Sequence, residues 1–148
     1  MSEGFRHIVR ICGTDIDGAK KLAYGLAKIK GVGVIFARAA ALAAKLNPEM
    51  KVGYLSDEDV KRLEDVISNP EKYGLPSFLY NRRKDLETGL DKHLHGADLE
   101  FRQKLDIEFL KEIRCWRGIR HSLGLKVRGQ RTRTTGRKGR TVGVSKRK

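Results

Sequence analysis

Residues 17–46 read DGAKKLAYGLAKIKGVGVIFARAAALAAKL. Leu22, Leu26 and Ile29 recur at spacings of four and three, the period of one helix face, which predicts a helix over about 17–30 with Thr14 or Asp15 placed to cap it. Lys20, Lys21, Lys28 and Lys30 fall mostly away from that face. Gly31-Val32-Gly33 interrupts the pattern, which resumes at once with Ile35, Ala39, Leu42 and Leu46 on a common stripe until Asn47-Pro48 ends it. Helix, tight Gly-x-Gly turn, helix is the unit predicted, and it sets a mainly helical fold class.

Two readings of that turn stand open. Its backbone N–H groups begin the second helix, where the dipole also favours an anion, so the turn can seat a phosphate beside Lys28, Lys30 and Arg38. Alternatively the glycines only meet the geometry of a helical hairpin.

Outward from the hairpin, residues 5–11, FRHIVRI, are β-branched or aromatic enough to predict a short strand or extended arm. Ser56 followed by Asp57, Glu58 and Asp59 marks a helix start, with Val60, Leu63 and Ile67 buried behind it and Asn69-Pro70 closing it. Residues 70–96 hold Pro70, Gly74, Pro76, Gly89 and Gly96 around Arg82-Arg83-Lys84, and predict a long ordered loop with a short strand near 78–80. Asp98 is placed to cap a last helix, LEFRQKLDIEFLKEIRCW. Leu105, Phe109, Ile113 and Trp116 share one side of it, and Arg102, Lys104, Glu108 and Lys111 face water.

Charge divides the chain. Of its 148 residues 32 are Lys or Arg and 18 are Asp or Glu, a net charge of +14. The stretch from Arg117 to Lys148 carries twelve of the basic residues and no acid, so the first 116 residues stand at only +2. Like charge with few large apolar side chains cannot offset the entropy of ordering, so this stretch predicts a long extended tail that becomes ordered on a polyanion. Arginine outnumbers lysine there by eight to four, which suits phosphate forks and base stacking better than mere solubility does. The expected organisation is a helical domain over 1–116, irregular at about 70–96, and a basic nucleic-acid-binding tail over 117–148.

Other classes are excluded by what the chain lacks. No run of eighteen apolar residues exists to span a membrane, and the start MSEGFRHIVR has no secretory apolar region. Cys12 and Cys115 suit a reducing cytosol better than a disulfide framework. His93-x-His95, His7 and His121 have no partner at CxxC, HxxxH or HExxH spacing, so no metal is expected. No GxxxxGK[ST] or GxGxxG cradles a nucleotide. The acids at 57–59 and 64–65 fit capping and a solvated face better than general acid–base work. Neither an enzyme nor a cofactor is expected. His121, among arginines, is placed to stack on or hydrogen-bond to RNA.

Cys115-Trp116-Arg117-Gly118-Ile119-Arg120-His121, followed by Val127-Arg128-Gly129-Gln130-Arg131-Thr132, resembles the signature of the small-subunit ribosomal protein family called S-thirteen in bacteria and S-eighteen in eukaryotes. Ile29-Lys30-Gly31-Val32-Gly33 with its Ala-rich helix is similar to the family's other motif, and Tyr54-Leu55-Ser56 to its third-helix start. Three departures point to an archaeal-type member. Residues 70–96 look like an insertion that bacterial members lack, Lys126 stands where they usually have proline, and the ending Gly139-Arg140-Thr141-Val142-Gly143-Val144 resembles the archaeal and eukaryotic branch.

The resemblance implies a helix-two-turns-helix domain in the head of the small ribosomal subunit, in the cytoplasm, with a tail that threads ribosomal RNA. Lys30, Gly31, Gly33, Arg38, Arg117, Arg120, His121, Arg128, Gln130, Arg131, Arg133, Arg137, Lys138 and Arg140 would contact ribosomal RNA. Lys146, Arg147 and Lys148 would reach P-site transfer RNA. Neighbouring head proteins, and large-subunit RNA and protein at inter-subunit bridges, would be the other partners. Thirty-two extended residues at about 3.3 Å each span roughly 100 Å, enough to cross a subunit head.

Two rivals stand against this reading. Some base-excision glycosylases share a helix-two-turns-helix core, but they use an N-terminal proline amine beside a glutamate, and this chain starts Met1-Ser2-Glu3. A DNA-compacting protein would bind duplex phosphates through the same tail, and the RGIRH and VRGQRT motifs argue against it.

Overall fold

The computed structural model describes residues 4–135, which fall into two compact units divided between Phe101 and Arg102. The expected site residues Arg137, Lys138, Arg140, Lys146, Arg147 and Lys148 lie outside the described residues.

The first unit opens with a hairpin. Strand β1, Ile8–Ile11, pairs antiparallel with β2, Thr14–Asp17, in the register Val9 to Ile16 and Ile11 to Thr14. Cys12 and Gly13 join them, both at positive φ (46° and 71°), as a two-residue turn that matches strand twist requires. Thr14 and Asp15 are therefore strand residues and not helix caps, which corrects the sequence expectation. The polar string Thr-Asp-Ile-Asp carries a single inward residue, Ile16, so its pairing depends on β1 and not on its own pattern.

The helix expected from residue 17 is shorter as well: α1 spans Leu22–Leu26. Residues 18–21 run instead beside 51–53, with Val52 N donating to Lys20 O (3.0 Å) and Gly53 N to Gly18 O (3.0 Å). The carbonyls of Met50 and Pro48 accept from Leu22 N (2.7 Å) and Ala23 N (3.1 Å), so neighbouring backbone takes the place of a side-chain cap.

Two tight turns follow. Lys28 N and Ile29 N donate to Gly25 O and Leu26 O (both 3.0 Å), and Val32 N donates to Ile29 O (3.1 Å). Helix α2, Val34–Ala43, begins after them, giving the expected helix, two turns, helix. Its buried face is not the expected one. Phe36, Ala37, Ala40, Ala41 and Ala44 are inside, whereas Ile35 and Leu42 are 75% and 62% exposed. Small alanines let α1 and the next helix approach closely, and a bulky Ile or Leu face would have held them apart. The helix ends on Lys45 at φ 61°, with Leu46 N bonded to Ala41 O and Lys45 N to Leu42 O (both 2.9 Å), a Schellman closure.

Helix α3, Asp57–Ser68, follows the sequence expectation closely. Ser56 Oγ accepts from Asp59 N (3.2 Å) while Asp59 Oδ2 accepts from Ser56 N (3.3 Å), a reciprocal capping box. Leu63 and Ile67 are buried, with Val66, and Val60 packs at the edge.

Residues 70–96 form the expected ordered loop, but 78–80 do not form a strand: Ser77–Leu79 is a short 3-10 turn, as is Pro70–Tyr73. The loop is held from within. Buried Asp85 pairs with Arg82 (2.6 Å) and Lys92 (3.3 Å) and accepts from Thr88 Oγ1 (3.1 Å). Tyr80 Oη donates to Leu75 O (2.9 Å). The loop docks on α2 through His93, whose ring stacks on Phe36 at 3.7 Å between centroids.

Helix α4, Gly96–Glu112, starts in the first unit and continues into the second. Asp98 lies in its first turn and is not its cap. The helix stops before Ile113, and Arg114 adopts φ 56°. A separate helix, α5, Trp116–Ser122, follows. Two expectations are corrected here. Ile113 and Trp116 do not share one side of a single helix with Leu105 and Phe109, because α4 ends at Glu112 and Trp116 begins α5; Phe109, Ile113 and Trp116 are 50%, 55% and 72% exposed. Residues 117–122, expected to be extended tail, are helical. Among the described residues no helix is long and apolar enough to cross a membrane.

His93 generates a prediction. Burial, and then the neighbouring His95, push its pKa down to about 4. The unfolded chain protonates this imidazole near 6.5 and the folded chain resists, so its stabilising contribution is full above pH 6.5 and is lost as pH falls from 6.5 towards 4. Each pH unit in that window costs up to about 1.4 kcal/mol. His93→Phe keeps the stack without a titrating group, and the drop in thermal midpoint between pH 7 and pH 5 is expected to be markedly smaller than in the natural chain.

Candidate nucleic-acid interface

In the first unit the residues of the expected phosphate seat each meet neighbours within the chain, Gly33 apart. Gly31, at φ +92°, faces the loop: a Cβ there would run into the Leu94 carbonyl and touch Leu99 and Asn81. Asn81 clamps the place, its amide donating to Leu94 O (2.6 Å) and Gly31 O (3.4 Å) while its oxygen accepts from Leu94 N (2.9 Å). Gly31 thus has an internal task. Gly33 differs, with φ −87°, open space where a Cβ would stand, and no side-chain cap on the helix it begins. Lys30 is exposed and paired with Glu100, and Arg38 is exposed and paired with Glu49 (3.3 Å), which Lys21 also meets (2.7 Å). Lys28 Nζ donates to Asp15 O (2.8 Å).

The second unit is built around the Cys-Trp-Arg-Gly-Ile-Arg-His stretch. Cys115 caps α5, its sulfur accepting from Gly118 N (3.3 Å) and donating to Leu110 O (3.4 Å). Gly118 is buried against the end of α4, where a Cβ would overlap the Leu110 carbonyl. The far end of α5 closes as a Schellman motif, with Gly124 at φ 65°, Gly124 N on His121 O (3.1 Å) and Leu125 N on Arg120 O (2.9 Å).

Arg120 is drawn into this framework. Its Nε donates to Lys126 O (3.0 Å) and its guanidinium lies 5.7 Å from the centroid of exposed Trp116. Arg117, His121 and Arg128 come together instead, around a groove of about 770 Å³ whose other walls are Gln103, Asp106, Ile107, Leu110 and Val127. Gln130 accepts from Arg128 N (3.4 Å), and Arg131 and Arg133 are exposed beyond it. From residue 113 to 135 the chain has seven Lys or Arg and no Asp or Glu.

Sequence reasoning missed α5 and, with it, the groove floor of Ile107, Leu110 and Val127. The available signal was at the C-terminal end: Arg120 and His121 in a last turn followed by Gly124 is a helix stop. Cysteine is no common cap, so the start left no mark.

The family model for ribosomal protein S13/S18 matches residues 10–138. The chain belongs to the ribosomal protein S13/S18 family. It is 60% identical over 147 residues to small ribosomal subunit protein uS13 of Staphylothermus marinus, an alignment covering 99% of this chain and 97% of the relative. Identity to the protein of the same name from Saccharolobus solfataricus is 55%, covering 100% of this chain and 90% of that one. The counterpart from Methanocaldococcus jannaschii is 53% identical, with 97% and 96% covered. This member of the family is of the archaeal type, and its role is that of a structural ribosomal protein, located with ribosomes in the cytoplasm.

The family's two glycine positions separate under substitution. Gly31→Ala is expected to destabilise the first unit by more than about 1 kcal/mol, since it adds left-handed strain to a clash with backbone. Gly33→Ala is expected to change stability by less than that, and urea unfolding followed by circular dichroism checks both. Gly118→Ala is expected to part α5 from α4 and cost about 1–3 kcal/mol. Limited proteolysis checks it, with faster cleavage near Arg117 and Arg120 while the first unit stays protected.

Proposed function

We propose that the chain is a structural component of the small-subunit head that holds ribosomal RNA through its second unit and basic C-terminal segment, and touches P-site transfer RNA with its last residues. The observation that carries this is the clustering of Arg117, His121 and Arg128 around one groove, in a segment without a single carboxylate from 113 to 135. Cations held together on a folded surface recognise a polyanion and not isolated anions. Arg131, Arg133, Arg137, Lys138 and Arg140 continue the contact along the RNA, and Gln130 adds an amide. Lys146, Arg147 and Lys148 are the transfer-RNA end.

In the first unit, Gly33 leads into α2 without a side-chain cap and Lys30 and Arg38 are exposed. This supports a smaller RNA contact there, with Glu49 and Glu100 exchanged for phosphate. Neighbouring head proteins, and large-subunit RNA and protein at inter-subunit bridges, are the further partners of this reading.

The test has two arms. The free chain's affinity for small-subunit ribosomal RNA is expected to fall steeply between 50 and 200 mM salt, on the order of 10³-fold. A chain ending at Thr135 lacks six cations and is expected to show a flatter slope, by ~0.7–0.9 for each phosphate it no longer neutralises. In purified subunits, removal of residues 145–148 is expected to leave assembly intact and speed transfer-RNA dissociation from the P site by roughly five- to thirty-fold, ~1–2 kcal/mol of screened attraction. An unchanged salt slope would count against the RNA role of the terminal segment, and equal dissociation rates against the transfer-RNA contact.

A further inference from the structure

The groove in the second unit has a composition that phosphate binding alone does not require. Cations on an open surface suffice to hold a sugar-phosphate backbone. Here half-buried Ile107, Leu110 and Val127 share the lining with exposed Arg117 and Arg128, and apolar lining of that kind left to water forgoes burial. Its geometry is also set in advance. Gln103, Ile107 and Leu110 recur along one face of α4, and Arg117 and His121 stand four apart on α5. The third wall, Val127 and Arg128, follows directly on Lys126, whose carbonyl is fixed by Arg120 (3.0 Å). Backbone geometry supplies the other supports: Gly118 sets the approach of the helices, and the Schellman turn at Gly124 sets the return of the chain.

We propose that this groove receives a single unpaired nucleotide of the bound RNA. The base lies on Ile107, Leu110 and Val127, its flanking phosphates meet Arg117 and Arg128, and Gln103 and His121 offer donors and acceptors to its edge. A volume of about 770 Å³ is ample for one base and its sugar and too small for a paired helix. Asp106, paired with Arg102 (3.8 Å), also lines the groove and would repel a phosphate placed on the α4 side of it, away from the arginines. The phosphates therefore belong at the arginine rim and the neutral base belongs inside. This assignment rests on the RNA-binding reading above and adds to it a distinction between unpaired and paired RNA, since splayed bases are what proteins read in RNA.

The experiment uses the full chain and two RNAs, a 20-base-pair duplex and the same duplex with one bulged 2-aminopurine nucleotide. The bulged RNA is expected to bind about tenfold more tightly, the order of magnitude that roughly 50 Å² of apolar surface removed from water contributes. Both RNAs should show the same salt slope, and the 2-aminopurine fluorescence should change on binding. Val127→Trp fills the groove from an irregular segment and removes no charge, and is expected to abolish the preference while keeping duplex affinity. Ile107→Gln removes apolar floor without adding bulk and is expected to act the same way, with circular dichroism confirming that both variants are folded. Equal binding of the two RNAs by the natural chain, or a preference that survives in both folded variants, would overturn the groove assignment and leave the RNA-binding reading standing. Failure to bind either RNA at low salt would overturn both.

Discussion

The first unit depends on one helix face made of alanine. Ala37, Ala40, Ala41 and Ala44 are wholly inside, and having no atoms beyond Cβ they let α1 and α3 close on the backbone of α2. Adding even a few methylenes there would overpack the contact by about 1–3 kcal/mol. Phe36 continues the same face and receives His93, so the long segment at 70–96 is anchored to the helix that organises the hairpin. The bulky residues Ile35 and Leu42 of α2 are consequently left outside.

In the second unit one short motif is divided between folding and surface. Cys115 and Gly118 position α5 against the end of α4, and Arg120 ties the following chain to Trp116 and Lys126. Arg117 and His121, one helical turn apart, are left to face the groove. A signature that reads as a run of RNA contacts is thus half framework. The distinction bears on how substitutions are interpreted, because losing Gly118 would disturb the packing of α5 whereas losing Arg117 would change only the groove's lining.

Electrostatics divides the chain at residue 112, within the second unit. In the first, Lys21 and Arg38 share Glu49, Lys30 meets Glu100, and Arg82 and Lys92 share Asp85. The exposed pairs at Glu49 and Glu100 contribute little to stability, but together with the buried set at Asp85 they leave little net field. Beyond residue 112 the chain has no acid with which to repeat the pattern, so its positive field is directed outward.

The amino-acid sequence by itself determined the mainly helical class, the pair of helices joined by a tight glycine turn, the capped start of α3 at Ser56, the ordered irregularity of 70–96 and the charge partition. Each of these depends on residues close together in the chain: a capping box within four positions, a glycine turn, a local excess of arginine. What lay beyond its reach depended on partners distant in sequence. Pairing with β1 made Thr14–Asp17 a strand, the carbonyls of residues 48 and 50 shortened α1, and close helix packing turned α2 onto its alanine face. The contact between Gly118 and Leu110 similarly created a helix and a groove where local charge suggested only extended chain. Local periodicity reports which faces a segment can present, whereas which face is buried is decided by the shape of what packs against it, and only the tertiary structure holds that shape.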